Sequence, residues 1–280
     1  MHSQLLPPVL ILAAALVAGG ISLLQFEAAT ARKGALLAFW AASGLGAWGL
    51  TGSPWPGLAT LLLWIAFPLS ETVIVLRRLQ IPRERHLENA VPPLEEFPDI
   101  RPLTHDVEAL GFKKVDDCAL TPTPQPQSQF FRLFGHEGGL HHAVLGHVSE
   151  GQFAFDFAAF TSEDKQGRLW ITWDYPLSYG LKMPPHVVLH RTLDCGSIAE
   201  LFASHRELLV INGVVDAELV SGSDLEAVRG RLERSLARQL QYNVSIGILS
   251  PDRATADGFR YSWRGTFYVA GEVVRDLVRL

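Results

Sequence analysis

Histidine is the one residue type in this sequence whose concentration suggests chemistry, because imidazole is both a common metal ligand and a general acid or base. Most of the ten histidines fall in one stretch: His136, His141, His142, His147, His186 and His190. In an extended strand, His141 and His147 would share a face but lie about 20 Å apart at about 3.3 Å per residue. His186 and His190 would be separated by about 13 Å on the same basis. Neither pair can hold one ion.

A metal or catalytic site would therefore need histidines from different strands, which spacing alone does not establish. We predict no bound metal, with each of these histidines exposed or hydrogen-bonded through one nitrogen. His205 lies on the apolar stripe of a predicted helix and is expected to be packed rather than to act as a ligand.

The two cysteines, Cys118 and Cys195, occur in no metal-type spacing, and we expect both to be reduced thiols. Cys195 follows His190 and Asp194 closely enough to suggest a thiol nucleophile, but the sequence has no signature of an oxyanion hole. It also lacks the GxSxG, HExxH, GxxxxGK[ST] and GxGxxG motifs. We therefore predict no catalytic residue and no cofactor.

The first part of the chain is almost free of charge, and it predicts a three-helix transmembrane bundle over residues 1–79. Apolar runs at 5–26, 34–50 and 57–76 are each close to the length that crosses about 30 Å of hydrocarbon. Small residues four apart in the second run, such as Ala42 and Gly46, would let helices approach closely. Between Lys33 and Arg77 the only ionisable residue is Glu71, too few for a conduction path, so we expect it to pair with Lys33 or Arg78.

Basic residues set the predicted orientation in the cell membrane, the inner membrane of a bacterium. The positively charged residues flanking these runs all fall in the first loop or after the third run: Arg32, Lys33, Arg77, Arg78, Arg83 and Arg85. Because such residues favour the cytoplasmic side, we expect a multi-pass protein with its N-terminus outside and its C-terminal domain in the cytoplasm.

Residues 80–102 carry five prolines among charged residues and predict an extended linker to a soluble α+β domain at 103–280. The overall net charge of −5 provides no basic field, so nucleic acid is not an expected partner. Aromatic and aliphatic residues alternate with polar ones at 153–157 and 169–173, which is typical of strands. Short turns between the strands favour one antiparallel sheet with helices packed on one face.

Helices follow the strands, and two capping boxes, starting at Ser197 and Ser223, mark where they begin. A last helix is predicted over 266–280. Leu201 and Leu232 represent the apolar stripes that should cover the sheet face carrying Phe155, Leu169 and their alternate neighbours. The opposite face would then be an open interaction surface, with these candidate residues: Asp156, Arg168, Trp170, Thr172, His186 and His190.

Taken together, these patterns predict a membrane-anchored, non-enzymatic protein. Its partners would be the lipid bilayer and, through the cytoplasmic domain, the membrane surface, another protein or a second copy of the chain. The alternative is a membrane-bound enzyme with a histidine-containing pocket on the sheet. Histidines and carboxylates from several strands that converge in one concave pocket would favour the enzyme.

Overall fold

The computed structural model describes residues 6–26, 28–121, 127–150, 153–176, 180–193, 195–255 and 258–279. Predictions that concern Leu5 or Asp194 therefore lie outside the described residues. The chain divides into two compact units, Met1–Val75 and Leu76–Leu280. Its helices and sheets make it a mixed α+β protein, as the sequence predicts at that level.

The N-terminal unit is helical, and its elements are α1 (Leu6–Leu23), α2 (Ala29–Thr51) and α3 (Pro54–Arg78), the last of which ends in the second unit. Two of these helices, over Thr30–Thr51 and Pro54–Arg78, are long and apolar enough to cross a membrane. The apolar part of α1, Pro8–Leu23, is shorter.

Close approach between α2 and α3 depends on two glycines. A Cβ atom at Gly57 would lie 2.6 Å from the Gly44 carbonyl oxygen, so a side chain there would push the helices apart. The Trp40 indole also donates a hydrogen bond to the Leu61 carbonyl, at 3.1 Å. Small residues thus bring helices together, as the sequence suggests, but at Gly44 and Gly57 rather than Gly46, which has nothing within 4 Å of its Cβ position.

The C-terminal unit is built around a seven-stranded sheet in the order β2-β3-β4-β5-β6-β7-β8. Its strands are β2 (His86–Asn89), β3 (Phe112–Thr121), β4 (Gln127–His136), β5 (His142–Glu150), β6 (Phe153–Glu163), β7 (Leu169–Trp173) and β8 (Val187–Arg191). Neighbours from β2 to β7 pair antiparallel, which is the predicted meander. The prediction of one antiparallel sheet is wrong in two respects. β8 pairs parallel to β7, and a separate three-stranded sheet is present.

The separate sheet joins two distant parts of the unit, with strands β1 (Gln80–Pro82), β9 (Leu249–Ser250) and β10 (Gly258–Tyr261). β10 lies in its centre and pairs antiparallel with both of the others. Since β1 follows α3 after one residue, the chain enters the folded core of the C-terminal unit directly from that helix.

Residues 80–102 differ from the extended linker that their prolines predict. They supply β1 and β2, and the side chains of Phe97 and Ile100 are fully buried in the core beside the large sheet. The prolines are tolerated because Pro82 is the last residue of β1, and Pro92, Pro93 and Pro98 lie between β2 and α4. Pro102 falls in the first turn of α4, where its missing amide costs no helix hydrogen bond, while the apolar residues gain burial.

The described part of the unit also contains four α-helices: α4 (Ile100–Ala109), α5 (Ile198–Ile211), α6 (Leu225–Ser245) and α7 (Trp263–Arg279). Ser197 caps α5 as predicted, because its hydroxyl accepts the Glu200 amide. For α6 the cap is Asp224, one residue after the predicted Ser223.

The helices cover both faces of the large sheet, so the prediction that they pack on one face is wrong. α4 and α5 bury one face, where Leu201 packs with Phe160. α6 covers the other, where Leu232 packs with Leu169 and its alternate neighbours. Every residue of β7 is buried, which requires cover on both sides and explains the difference.

Candidate functional site

The six residues predicted to form one open surface are distributed over separate environments. Trp170 is 2% exposed and Thr172 is 0% exposed, because α5 and the segment after it cover their face of the sheet. These two side chains therefore cannot contribute to an exposed interaction surface. Because they alternate with the apolar Leu169, Ile171 and Trp173, the sequence assigned them to a solvent-facing side, but alternation cannot distinguish water from a second covering helix.

Asp156, Arg168 and the two remaining histidines of that set are also apart. The Asp156 carboxylate lies 2.6 Å from Nδ1 of the buried His147. His186 lies near Arg231 and Arg234 in a shallow groove, whereas His190 is exposed on the edge strand β8. The structure does not bring these residues together.

Arg168 and Trp170 instead converge on Asp164, in the turn between β6 and β7. Arg168 Nε donates to one carboxylate oxygen at 2.7 Å and Trp170 Nε1 to the same oxygen at 3.3 Å, while two backbone amides bind the other. Burial alone would raise the pKa of Asp164, but the hydrogen bonds from Arg168 hold it below its usual range. The cluster fixes the turn.

Beneath α5, four buried side chains form a continuous chain of hydrogen bonds, which we call the histidine network: His141, Ser162, His205 and Thr172. Ser162 Oγ lies 2.7 Å from His141 Nδ1 and 3.0 Å from His205 Nε2. The other nitrogen of His205 lies 3.1 Å from the Thr172 hydroxyl. Two histidines from different elements therefore meet, which sequence spacing could not show, although His205 is packed as predicted.

The electrostatics of this network favour neutral imidazoles. Burial lowers the pKa of His141 to about 4, with a further contribution from His136. Burial likewise lowers the pKa of His205 to about 3, and the neighbouring His141 acts in the same direction. Ser162, His205 and Thr172 are 0% exposed, so a substrate cannot reach the one hydroxyl that contacts both imidazoles. The arrangement supports packing rather than catalysis.

A second histidine environment lies under the β2–α4 segment. His147 is 1% exposed, stacks on Phe97 with 5.6 Å between ring centroids, and has the Glu96 carboxylate 3.3 Å from Nε2. With Asp156 on its other nitrogen, this imidazole is held between two carboxylates. Within the described part of the chain, no group of three or more such side chains is arranged to hold a metal ion.

The face under α6 carries polar contacts at one end. The Arg231 guanidinium donates to His142 Nδ1 at 2.7 Å, and its Nε lies 3.0 Å from a Glu163 carboxylate oxygen. His142 Nε2 donates in turn to the Gly222 carbonyl. Burial, followed by the charge of Arg231, lowers the pKa of His142 to about 4.

Towards the other end of this face, an apolar cavity of about 130 Å³ lies between the sheet and α6 and opens to the surface. Its described lining is aliphatic and aromatic apart from Gln129, Thr161 and the hydroxyl of Tyr175, and includes Phe131, Val144, Phe157, Ile171, Trp173 and Leu236. None of these residues is charged. Tyr175 packs against Phe157 and Trp173, with ring centroids 5.0 and 5.1 Å away.

Few spaces of this size are left among the packed side chains of a protein core. The opposite face of the same strands has its phenylalanine rings in direct contact, so the sheet itself does not prevent close packing.

The cysteines show no feature of an activated nucleophile. Burial raises the pKa of Cys118 to about 12, which leaves its thiol unreactive at neutral pH. Cys195 is half-buried, and its sulfur lies 3.4 Å from the Thr192 hydroxyl.

The last helix, α7, has one face in the core formed with the small sheet. Val269 packs there with Ile248 and Tyr261, and Gly265 leaves no room for a Cβ atom against the Ile248 carbonyl. On the outward side, Trp263, Phe267 and Val274 are 57%, 64% and 45% exposed. At about 100° per residue these three side chains fall within about 40° of one another, so they form one stripe, the α7 stripe.

The α7 stripe begins beside the end of α3. The guanidinium of Arg77, in the last turn of that helix, lies 3.8 Å from the centre of the Trp263 ring. Sequence reasoning missed this surface because it placed the start of the last helix at residue 266, which excludes Trp263. The spacings of four and seven residues between the stripe positions were the available signal.

Comparison with protein-family profiles, with curated proteins and with solved structures finds no significant match to this chain. Its class is therefore defined by its own architecture. It combines apolar N-terminal helices with an α+β unit that contains a sheet covered on both faces.

Proposed function

We propose that this chain is a membrane-anchored, non-enzymatic protein whose C-terminal unit binds the membrane surface through the α7 stripe. The observation that carries the proposal is the exposed stripe itself, together with the stacking of Arg77 on Trp263. A helix that buries one face in protein and presents a second apolar face to solvent needs a partner for the second face.

The position of the stripe favours a bilayer as that partner. Arg77 and Arg78 end a helix whose composition suits a membrane span, so they mark the level at which that helix would leave hydrocarbon. Trp263, in contact with Arg77, would then lie at the same level. Tryptophan is enriched at this depth because its ring is apolar and its indole nitrogen can reach water or headgroups.

The charges around the stripe agree with this partner. Arg264 and Arg275 are exposed on one side of the stripe, and Arg275 also pairs with Glu272. Asp276 lies on the side facing the protein, 3.7 Å from Arg191. Exposed arginines beside an apolar stripe are typical of helices that lie in the interface of a membrane with anionic lipids.

The orientation proposed for the chain places the N-terminus outside and the C-terminal unit in the cytoplasm, at the inner membrane. The basic residues at the start of α2 and at the end of α3 support it, because a tight turn at Gly52 makes these two helices a hairpin whose outer ends share a side. For the C-terminal unit that argument holds whether or not the shorter α1 crosses the membrane, whereas an N-terminus outside also requires α1 to cross it. The three-span arrangement itself remains part of the proposal.

Membrane docking of α7 can be measured with an environment-sensitive fluorophore in the full chain reconstituted in anionic vesicles. Cys195→Ser removes the accessible thiol, while the buried Cys118 stays unlabelled. A label at Phe267→Cys should then be quenched by lipids that carry a nitroxide in the headgroup region.

The matched control is Val210→Cys on α5, another apolar helical position and 74% exposed. Its label should remain unquenched by the nitroxide lipids. Equal quenching at both positions, or none at 267, would show that α7 does not lie on the bilayer.

A further inference from the structure

We infer that the cavity between the large sheet and α6 is a binding site for a small molecule that inserts an uncharged, ring-sized hydrocarbon group. This inference goes beyond membrane docking and does not depend on it, because the described lining residues come from the sheet, α6 and the segment after β7, and none of them belongs to α7.

Volume and lining define the ligand class. The cavity measures about 130 Å³, close to the roughly 150 Å³ of an engineered apolar cavity that stays dry and binds benzene. Water would find few partners among the described lining residues, since a buried water needs two to four polar groups. A charged headgroup is excluded from the cavity because no described lining residue carries a charge to pair with it.

Aromatic side chains favour a ring over a branched aliphatic group. Phe131 and Phe157 meet edge to face, with centroids 6.4 Å apart, and Phe157 and Tyr175 meet in the same way at 5.0 Å. A ligand ring placed among them can adopt the offset or edge-on contacts that aromatic pairs prefer.

An entry route exists on the same side. Phe157, Tyr175 and Leu236 line the cavity and are only half-buried, so the space is continuous with the surface along these side chains. The ligand could therefore enter without unfolding of the sheet. Any polar part of it would remain at the cavity entrance, where Gln129 offers an uncharged polar side chain.

The test uses the full chain in phospholipid nanodiscs and hexafluorobenzene as the probe, with binding followed by the broadening of its fluorine resonance. Ala159→Leu places additional side chain into the cavity, whereas Ala154→Leu makes the same change at an exposed position of the same strand. The bilayer is identical in each sample, so partition of the probe into lipid cancels in the comparison.

We expect saturable binding with one site per chain in the wild type and in Ala154→Leu, and at least tenfold weaker binding in Ala159→Leu. Equal binding in all three would overturn the inference, as would the absence of saturable binding to the wild type. If circular dichroism shows that Ala159→Leu does not fold, Leu236→Phe fills the cavity from α6, and the same two outcomes apply.

Discussion

The two faces of the seven-stranded sheet differ in how closely their side chains pack against the helices that cover them. Under α4 and α5, rings such as Phe112, Phe160 and Phe202 are in contact, and the buried polar groups are joined in the histidine network. Under α6, polar contacts occupy one end and the other end leaves a cavity of about 130 Å³. The same strands supply both faces, so the cavity is a property of how α6 is placed and not of a poorly formed sheet.

Removal of a ring should distinguish the faces most strongly. Phe160→Ala is expected to cost about 3–5 kcal/mol of unfolding free energy, because the ring is fully buried and its neighbours cannot close the hole. Phe157→Ala, the control beside the existing cavity, should cost only about 1–2 kcal/mol because its ring is half-buried. Urea unfolding of the full chain in nanodiscs, followed by near-ultraviolet circular dichroism, measures both. Equal costs would mean that the cavity is filled in solution.

Removal of a hydroxyl should give the next largest difference. Thr172→Val leaves His205 Nδ1 without the Thr172 hydroxyl that lies 3.1 Å away, which is expected to cost about 1–3 kcal/mol. Thr161→Val, on the adjacent strand but lining the apolar cavity, should change the stability by less than about 0.5 kcal/mol. The same urea measurement applies, and a larger loss for Thr161→Val would reverse the assignment of the faces.

Acid should lower the free energy of unfolding through the buried histidines of the histidine network. The folded pKa values of His141 and His205, about 4 and about 3, are below the ordinary 6.5, so the neutral forms are favoured in the folded state. Their stabilising contribution is complete above about pH 6.5 and is lost as the pH falls towards those values. Urea midpoints at pH 7 and pH 5 should therefore differ, and His205→Gln should narrow the difference. A urea midpoint that is the same at pH 7 and pH 5 would contradict the lowered pKa values of His141 and His205.

The sequence predicts where the strands lie along the chain better than it predicts which helix covers each face of the sheet. The period-two patterns of β6 and β7 and the Ser197 cap are local features, and the structure confirms them. The cover over Trp170 is not local, because alternation only says that two faces differ and does not say which helix lies over each. The parallel pairing of β8 also could not be predicted, since the described parts of the connection from β7, residues 174–176 and 180–186, contain no helix to signal a crossover.

The candidate sites depend even more on tertiary structure. The meeting of His141 with His205 and the hole beside Phe157 arise from strands and helices distant in sequence. The α7 stripe is different, because its spacing is visible once the helix is started at Trp263. Only its contact with Arg77, 186 positions earlier, required coordinates.

The most direct test of the proposed membrane anchoring is the location of two positions of the chain in living bacteria. One fusion carries a reporter after Leu280, and another carries it after Ser53, in the turn between α2 and α3. The account predicts that a reporter active only in the cytoplasm works after Leu280, and that a reporter active only in the periplasm works after Ser53. Periplasmic activity after Leu280, or cytoplasmic activity at both positions, would contradict it.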